Sequence, residues 1–292
     1  MNIRNYNLSD EEILELPIEK QRLVAYAQVQ RGWTTENKTI LQLSLYWGRT
    51  IAHEQARQGW TTEDKEILTT VDIFGEYVAH IQAQNGWVTE DPEILKLANK
   101  EKQTVAHIQA EQGWTTNNKE ILKLCNSRKW TVAHIQARRG WTTEDIEILK
   151  LTNKLGQSVA FFQAMNGWTT ENLEILKLHD KNGWTVAHEQ ARRGWTTENF
   201  KILKLADKNG WTVAHEQAKR GWITRDLRVL TIKDMRNNTV AEIQAKHSGW
   251  TPDDELEKKL LQKLRKRSVE EASRVLKSIN DLSLEFFRNA FR

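Results

Sequence analysis

Residues 184–210 read WTVAHEQARRGWTTENFKILKLADKNG. From Thr185 to Arg193, the residues Val186, Ala187, Gln190 and Ala191 fall on one stripe at helical spacing. Gly194 stands where a glycine is expected, just past a helix end. Thr196 or Thr197 then suits the N-cap of a second helix, with Glu198 in its first turn, where the helix dipole favours an acid. Ile202, Leu203 and Leu205 supply that helix with an apolar face. Asp207-Lys208-Asn209-Gly210 is turn chemistry that closes the unit. Two helices of about nine or ten residues would each be roughly 14 Å long. Helices so short do not stand alone in water, so neighbouring units must stabilise them.

Such neighbours are present. Glutamine recurs every 27 residues from Gln28 to Gln244 without a slip, and alanine keeps the same register from Ala25 to Ala241. A Gly-Trp pair follows the same step from Gly32-Trp33 to Gly221-Trp222; the ninth pair, Gly249-Trp250, is displaced by one residue. The pattern predicts an all-α fold, an α-solenoid of stacked helix-turn-helix repeats over 23–250. Ser9 to Leu16 matches the second helix of a unit and is followed by Pro17, so 1–22 read as a half-repeat cap. After Trp250, two longer amphipathic segments are expected to cap the last repeat over 251–292. In them Leu256, Leu260, Leu261 and Leu264 are placed to cover it.

The segments Thr185-Val186-Ala187-His188 and Thr212-Val213-Ala214-His215, each continuing to an alanine (Ala191, Ala218) and a glycine (Gly194, Gly221), resemble the first helix of the ankyrin repeat. The resemblance covers roughly residues 20–250. It departs where valine replaces the usual proline and where glutamine replaces a frequent alanine. The unit is also 27 residues long where ankyrin has 33, and the shortage falls between the second helix and the next threonine. The resemblance therefore implies an ankyrin-like array with reduced or absent β-hairpins. It implies a protein-protein interaction scaffold, and ankyrin-like arrays include both housekeeping proteins and effectors delivered into other cells.

Composition restricts function less than the repeat does. Forty-three bases against 39 acids give a net charge of +4, a mixed surface that permits acidic or nucleic-acid partners without requiring them. The single cysteine, Cys125, excludes an internal disulfide and fits a reducing compartment. There is no apolar signal segment at the N-terminus and no run approaching the roughly 18 apolar residues that would span a bilayer. A soluble, cytoplasmic protein is expected, with non-classical export left open. There is no phosphate loop, no metal-ligand spacing and no nucleophile beside a base, so neither an enzyme nor a cofactor, metal or small-molecule substrate is expected.

The recurring His, Gln and Trp columns read best as frame. Histidines at His53, His80, His107, His134, His188 and His215 sit one per repeat, roughly 8–10 Å apart, too far to share a metal ion. The glutamines suit a ladder pairing buried polar groups. Variation between copies points to partners instead. After the histidine position come Ile81, Ile108, Ile135 and Phe162, flanked at either end by glutamates. One reading is an exposed apolar strip for a protein partner; the other is packing between first helices. A second variable position carries base pairs, Arg138-Arg139, Arg192-Arg193 and Lys219-Arg220. With the basic stretch at 258–267, they offer an alternative, contact with an acidic partner or a nucleic-acid backbone.

Overall fold

The computed structural model describes residues 7–265 and 269–290. The first six residues of the expected N-terminal cap, Lys266-Arg267 at the end of the basic stretch, and residues 268, 291 and 292 of the expected C-terminal cap lie outside that range. The described residues fall into two units, Met1–Trp141 and Thr142–Arg292. Unit 1 holds α1 (Asp10–Leu14), α2 (Ile18–Val29), α3 (Lys38–Leu41), α4 (Ile51–Arg57), α5 (Lys65–Leu68), α6 (Val78–Gln84), α7 (Pro92–Leu95), α8 (Val105–Glu111), α9 (Lys119–Lys123) and α10 (Val132–Arg138). Unit 2 holds α11 (Ile146–Leu149), α12 (Val159–Met165), α13 (Leu173–Leu176), α14 (Val186–Arg192), α15 (Phe200–Leu203), α16 (Val213–Lys219), α17 (Leu227–Leu230), α18 (Val240–Ser248), α19 (Asp254–Arg265) and α20 (Val269–Ala290). Among the described residues the architecture is all-α, and within each unit it is a solenoid-like stack of helix pairs.

The helices are shorter than the spacing implied. A typical first helix spans 7 residues and a typical second helix only 4. In the quoted repeat the second helix is capped by Asn199, whose side chain accepts from the Lys201 amide. Thr197 was a candidate cap; instead its hydroxyl accepts from the Asn199 amide one step earlier. The TTEN segment is thus a hydrogen-bonded loop, because a threonine followed two residues later by Asn or Asp places two side-chain acceptors in series. Gly194 ends the first helix with φ +97°, as expected of a glycine just past a helix end.

Each β-hairpin is reduced to one bridge, such as Ala206 with Thr212, closing a five-residue turn. An Asp or Asn opens most turns: the Asp207 carboxylate accepts from the Asn209 and Trp211 amides. Successive turns are joined through the backbone. In unit 1 the Ile73 amide donates to Trp47 (3.0 Å) and Ser127 to Glu101 (2.9 Å); in unit 2 Lys208 donates to Asn182 and Met235 to Asn209, both at 2.9 Å.

The core repeats with the sequence. In unit 1, Ala79 and Ala83 of α6 pack with Ile94 of α7 and with Val105 and Ile108 of α8. Alanine on the face toward the next first helix lets the backbones approach, and the larger side chain behind it fills the seam. The apolar stripe of unit 2 ends against Leu256, Leu260 and Leu264 of α19 and Ala272, Val275 and Ile279 of α20, which join Ala241 and Ala245 of α18 in one cluster. Leu261 packs at its margin.

Candidate interaction surfaces

The histidine column ties each repeat to the next. Thr104 caps α8, and the His107 Nδ1 accepts from the Thr104 amide at 3.2 Å. The His107 Nε2 then donates to the Trp130 carbonyl, 3.1 Å away. His53, His80, His188 and His215 reach the following turn in the same way. Burial lowers these imidazoles below their ordinary value of 6.5, to about 4 for His107 and His188, against the opposing pull of the carbonyl they bond. They are neutral frame elements. In α18 the column changes to Glu242, whose carboxylate accepts from the Thr239 amide at 2.8 Å and from Arg274 of α20 at 3.0 Å. With helix α20 rather than another turn packed beyond it, a carboxylate replaces the donor ring.

The glutamines clamp the preceding loop. Gln55 accepts from the Thr35 amide and donates to its carbonyl, both at 3.1 Å; Gln244 does the same to Thr224. Gln163 alone among them is buried with neither amide atom bonded to any described residue. The tryptophans after the glycines pack on the core clusters at their margin, and the Trp87, Trp114 and Trp168 indoles donate to Glu63, Glu90 and Glu144. Among the described residues, no three His, Cys, Asp or Glu side chains converge to hold a metal, and no helix is long and apolar enough to cross a membrane.

The expectation of an exposed apolar strip is corrected. Ile81, Ile108, Ile135 and Phe162 are 2%, 4%, 3% and 5% exposed. Ile81 packs on Ala52 and Ala56 of α4, and Ile135 on Ala106 and Ala110 of α8. The face taken as free on an isolated helix is covered by the preceding repeat, because a first helix in a stack has a neighbour on each side. The packing reading of these residues holds.

The base pairs behave differently. Arg138, Arg139, Arg192, Arg193, Lys219 and Arg220 are all exposed at the ends of their helices. The Arg138 guanidinium lies 5.5 Å from the Trp130 ring centroid, and the Lys219 amine 5.9 Å from that of Trp211. Arg192 and Arg193 approach the Glu189 carboxylate, and Arg220 that of Glu216.

A surface not singled out from the sequence stands at the first two turns of unit 1. Tyr46 and Trp47 are 82% and 62% exposed, and Ile73 and Phe74 of the next turn are half exposed. Leu23 and Tyr26 of α2 join Tyr46, Trp47, Arg49 and Arg57 around a groove of about 520 Å³. Arg49 holds the two turns together, 3.4 Å from the Asp72 carboxylate and 5.9 Å from the Phe74 ring centroid. Trp47 has φ 61° and ψ 27°, a left-handed conformation costly for a bulky residue and often found at functional sites. The signal was present in the alignment of copies. At the positions of Tyr46 and Trp47, the turns at 181–182 and 208–209 carry Lys-Asn.

No protein-family model matches the chain, and no curated protein matches it. Among solved structures it is similar to the crystal structure of the ankyrin repeat domain of Bcl-3, a unique member of the IkappaB protein family. The identity is 12%, the match covers 79% of this chain and 90% of that one, and the TM-score is 0.27.

Proposed function

We propose that this chain is a protein-interaction array whose principal contact surface is formed by the turn tips of unit 1. The observation that carries this reading is the group of exposed apolar side chains Leu23, Tyr26, Tyr46 and Trp47 around one groove, with Ile73 and Phe74 exposed on the turn that follows. Exposed apolar patches of this kind mark binding sites, and Trp and Tyr are the side chains that most often dominate binding energy. Elsewhere among the described residues an exposed apolar residue at a turn tip stands singly, as Leu155 and Met235 do. The exposed bases Arg138, Arg139, Arg192, Arg193, Lys219 and Arg220 serve as further, acid-seeking contacts. A nucleic-acid partner is the weaker alternative, since net charge is only +4 and the acids are interspersed.

The test replaces the tips with the residues of the sibling turns, Tyr46→Lys, Trp47→Asn, Ile73→Lys and Phe74→Asn. The variant is expected to keep the helical circular-dichroism spectrum and melting temperature, and to lose the proteins that the unaltered chain captures from its native cell. An unchanged set of captured proteins would sink this reading.

A further inference from the structure

In unit 2, the position occupied by isoleucine in α6, α8 and α10 becomes glutamate, Glu189 in α14 and Glu216 in α16. Both are buried, at 1% and 2% exposure. A buried carboxylate persists only where it is paired and hydrogen-bonded. Glu189 accepts from the Trp184 indole at 3.2 Å and from the Arg192 Nε at 3.0 Å, with Arg193 at 4.0 Å. Glu216 accepts from the Trp211 indole at 3.0 Å, with Arg220 at 3.7 Å. The same Trp-Glu-Arg cluster is thus built twice, in adjacent repeats.

Its geometry separates the charges by depth. The carboxylates are buried, while the guanidiniums they orient remain at the surface. Lys219 adds an amine over the Trp211 ring, and α18 continues the row with exposed Lys246. Neighbouring His247 registers the crowding: burial first, then Lys246 and Lys219, lower its proton affinity, against Glu216, which raises it.

Resting on the reading of the chain as an interaction array, we infer that the row Arg192, Arg193, Lys219, Arg220 and Lys246 binds an acidic, extended peptide segment. Repeat spacing selects the register. First helices stack roughly 8–10 Å apart, and a polyproline-II chain returns to the same face every three residues, about 9.3 Å on. An acid at every third position therefore meets one repeat after another, with Trp184 and Trp211 beside the intervening residues. A duplex, with one charge per roughly 1.7 Å of axis, is much denser than this row of one or two cations per repeat.

Fluorescence anisotropy with the full chain tests this, using a labelled peptide of about five Glu-Ala-Pro triplets in low salt. The acidic peptide is expected to bind, and its Lys-Ala-Pro counterpart not. Arg193→Gln with Arg220→Gln should weaken binding about tenfold or more, as should raising salt severalfold. Lys219→Gln with Lys246→Glu, which touches neither Glu-Arg pair, should do the same if the first variant loses its fold. Absence of acidic-peptide binding would overturn the inference, as would binding that neither folded variant weakens. Tighter binding of a single-stranded oligonucleotide through the same residues would overturn it in favour of nucleic acid. Loss of this binding with the turn-tip capture intact would leave the interaction-array reading standing.

Discussion

At the scale of single residues, the glutamine column separates structural need from repetition. Replacing Gln55 by leucine strips partners from the buried Thr35 amide and carbonyl and should cost about 1–3 kcal/mol. The same change at Gln163 removes two buried polar atoms bonded to no described residue, and should be neutral or stabilising within about 1 kcal/mol. Urea denaturation of the two variants checks the contrast; equal losses would contradict it. That the column is a ladder was legible from its unbroken step of 27 and from its place beside the alanine stripe. That one rung is unfilled was not, since sequence records the amide and not its partners.

At the scale of elements, the turns carry the strictest backbone demands. Gly183 has φ +80°, and a Cβ there would stand 3.1 Å from the Lys208 amide of the next turn. Gly183→Ala should therefore lower stability by about 1–2 kcal/mol. Lys102 holds the equivalent place at φ 58°, so Lys102→Gly should be stabilising or neutral, by up to about 1 kcal/mol. Melting temperatures moving the other way in either variant would refute the assignment. The short period made a reduced hairpin legible. The brevity of the second helices was not, because a Thr-x-Asn or Thr-x-Asp pair offers two successive caps and only local backbone geometry selects the later one. The burial of Ile81, Ile108 and Ile135 was equally hidden. Reading one helix at a time leaves a face open that the preceding repeat closes.

At the scale of the molecule, the histidine column makes stability depend on pH. His107 and His188 are held near 4 in the fold against 6.5 ordinarily, chiefly by burial. Unfolded, they take up protons first, so their contribution is full above about 6.5 and is lost as pH falls through about 4. Each is worth on the order of 3 kcal/mol over that window. Urea midpoints should hold from pH 8 to about 7 and fall steeply below about 6; a flat profile down to pH 4.5 would refute the neutral-frame role.

The repeat was legible because its columns recur in one register, 27 residues apart. The turn-tip surface was not read because it consists of departures from those columns, visible only when each copy is compared with its siblings at one position. The most direct test places a photo-crosslinking amino acid at Trp47 in one sample and at Trp114, in the recurring column and away from the basic row, in another, each irradiated in the native cell. Adducts to a partner protein from position 47 and none from position 114 are expected. Adducts from position 114 alone would contradict the account.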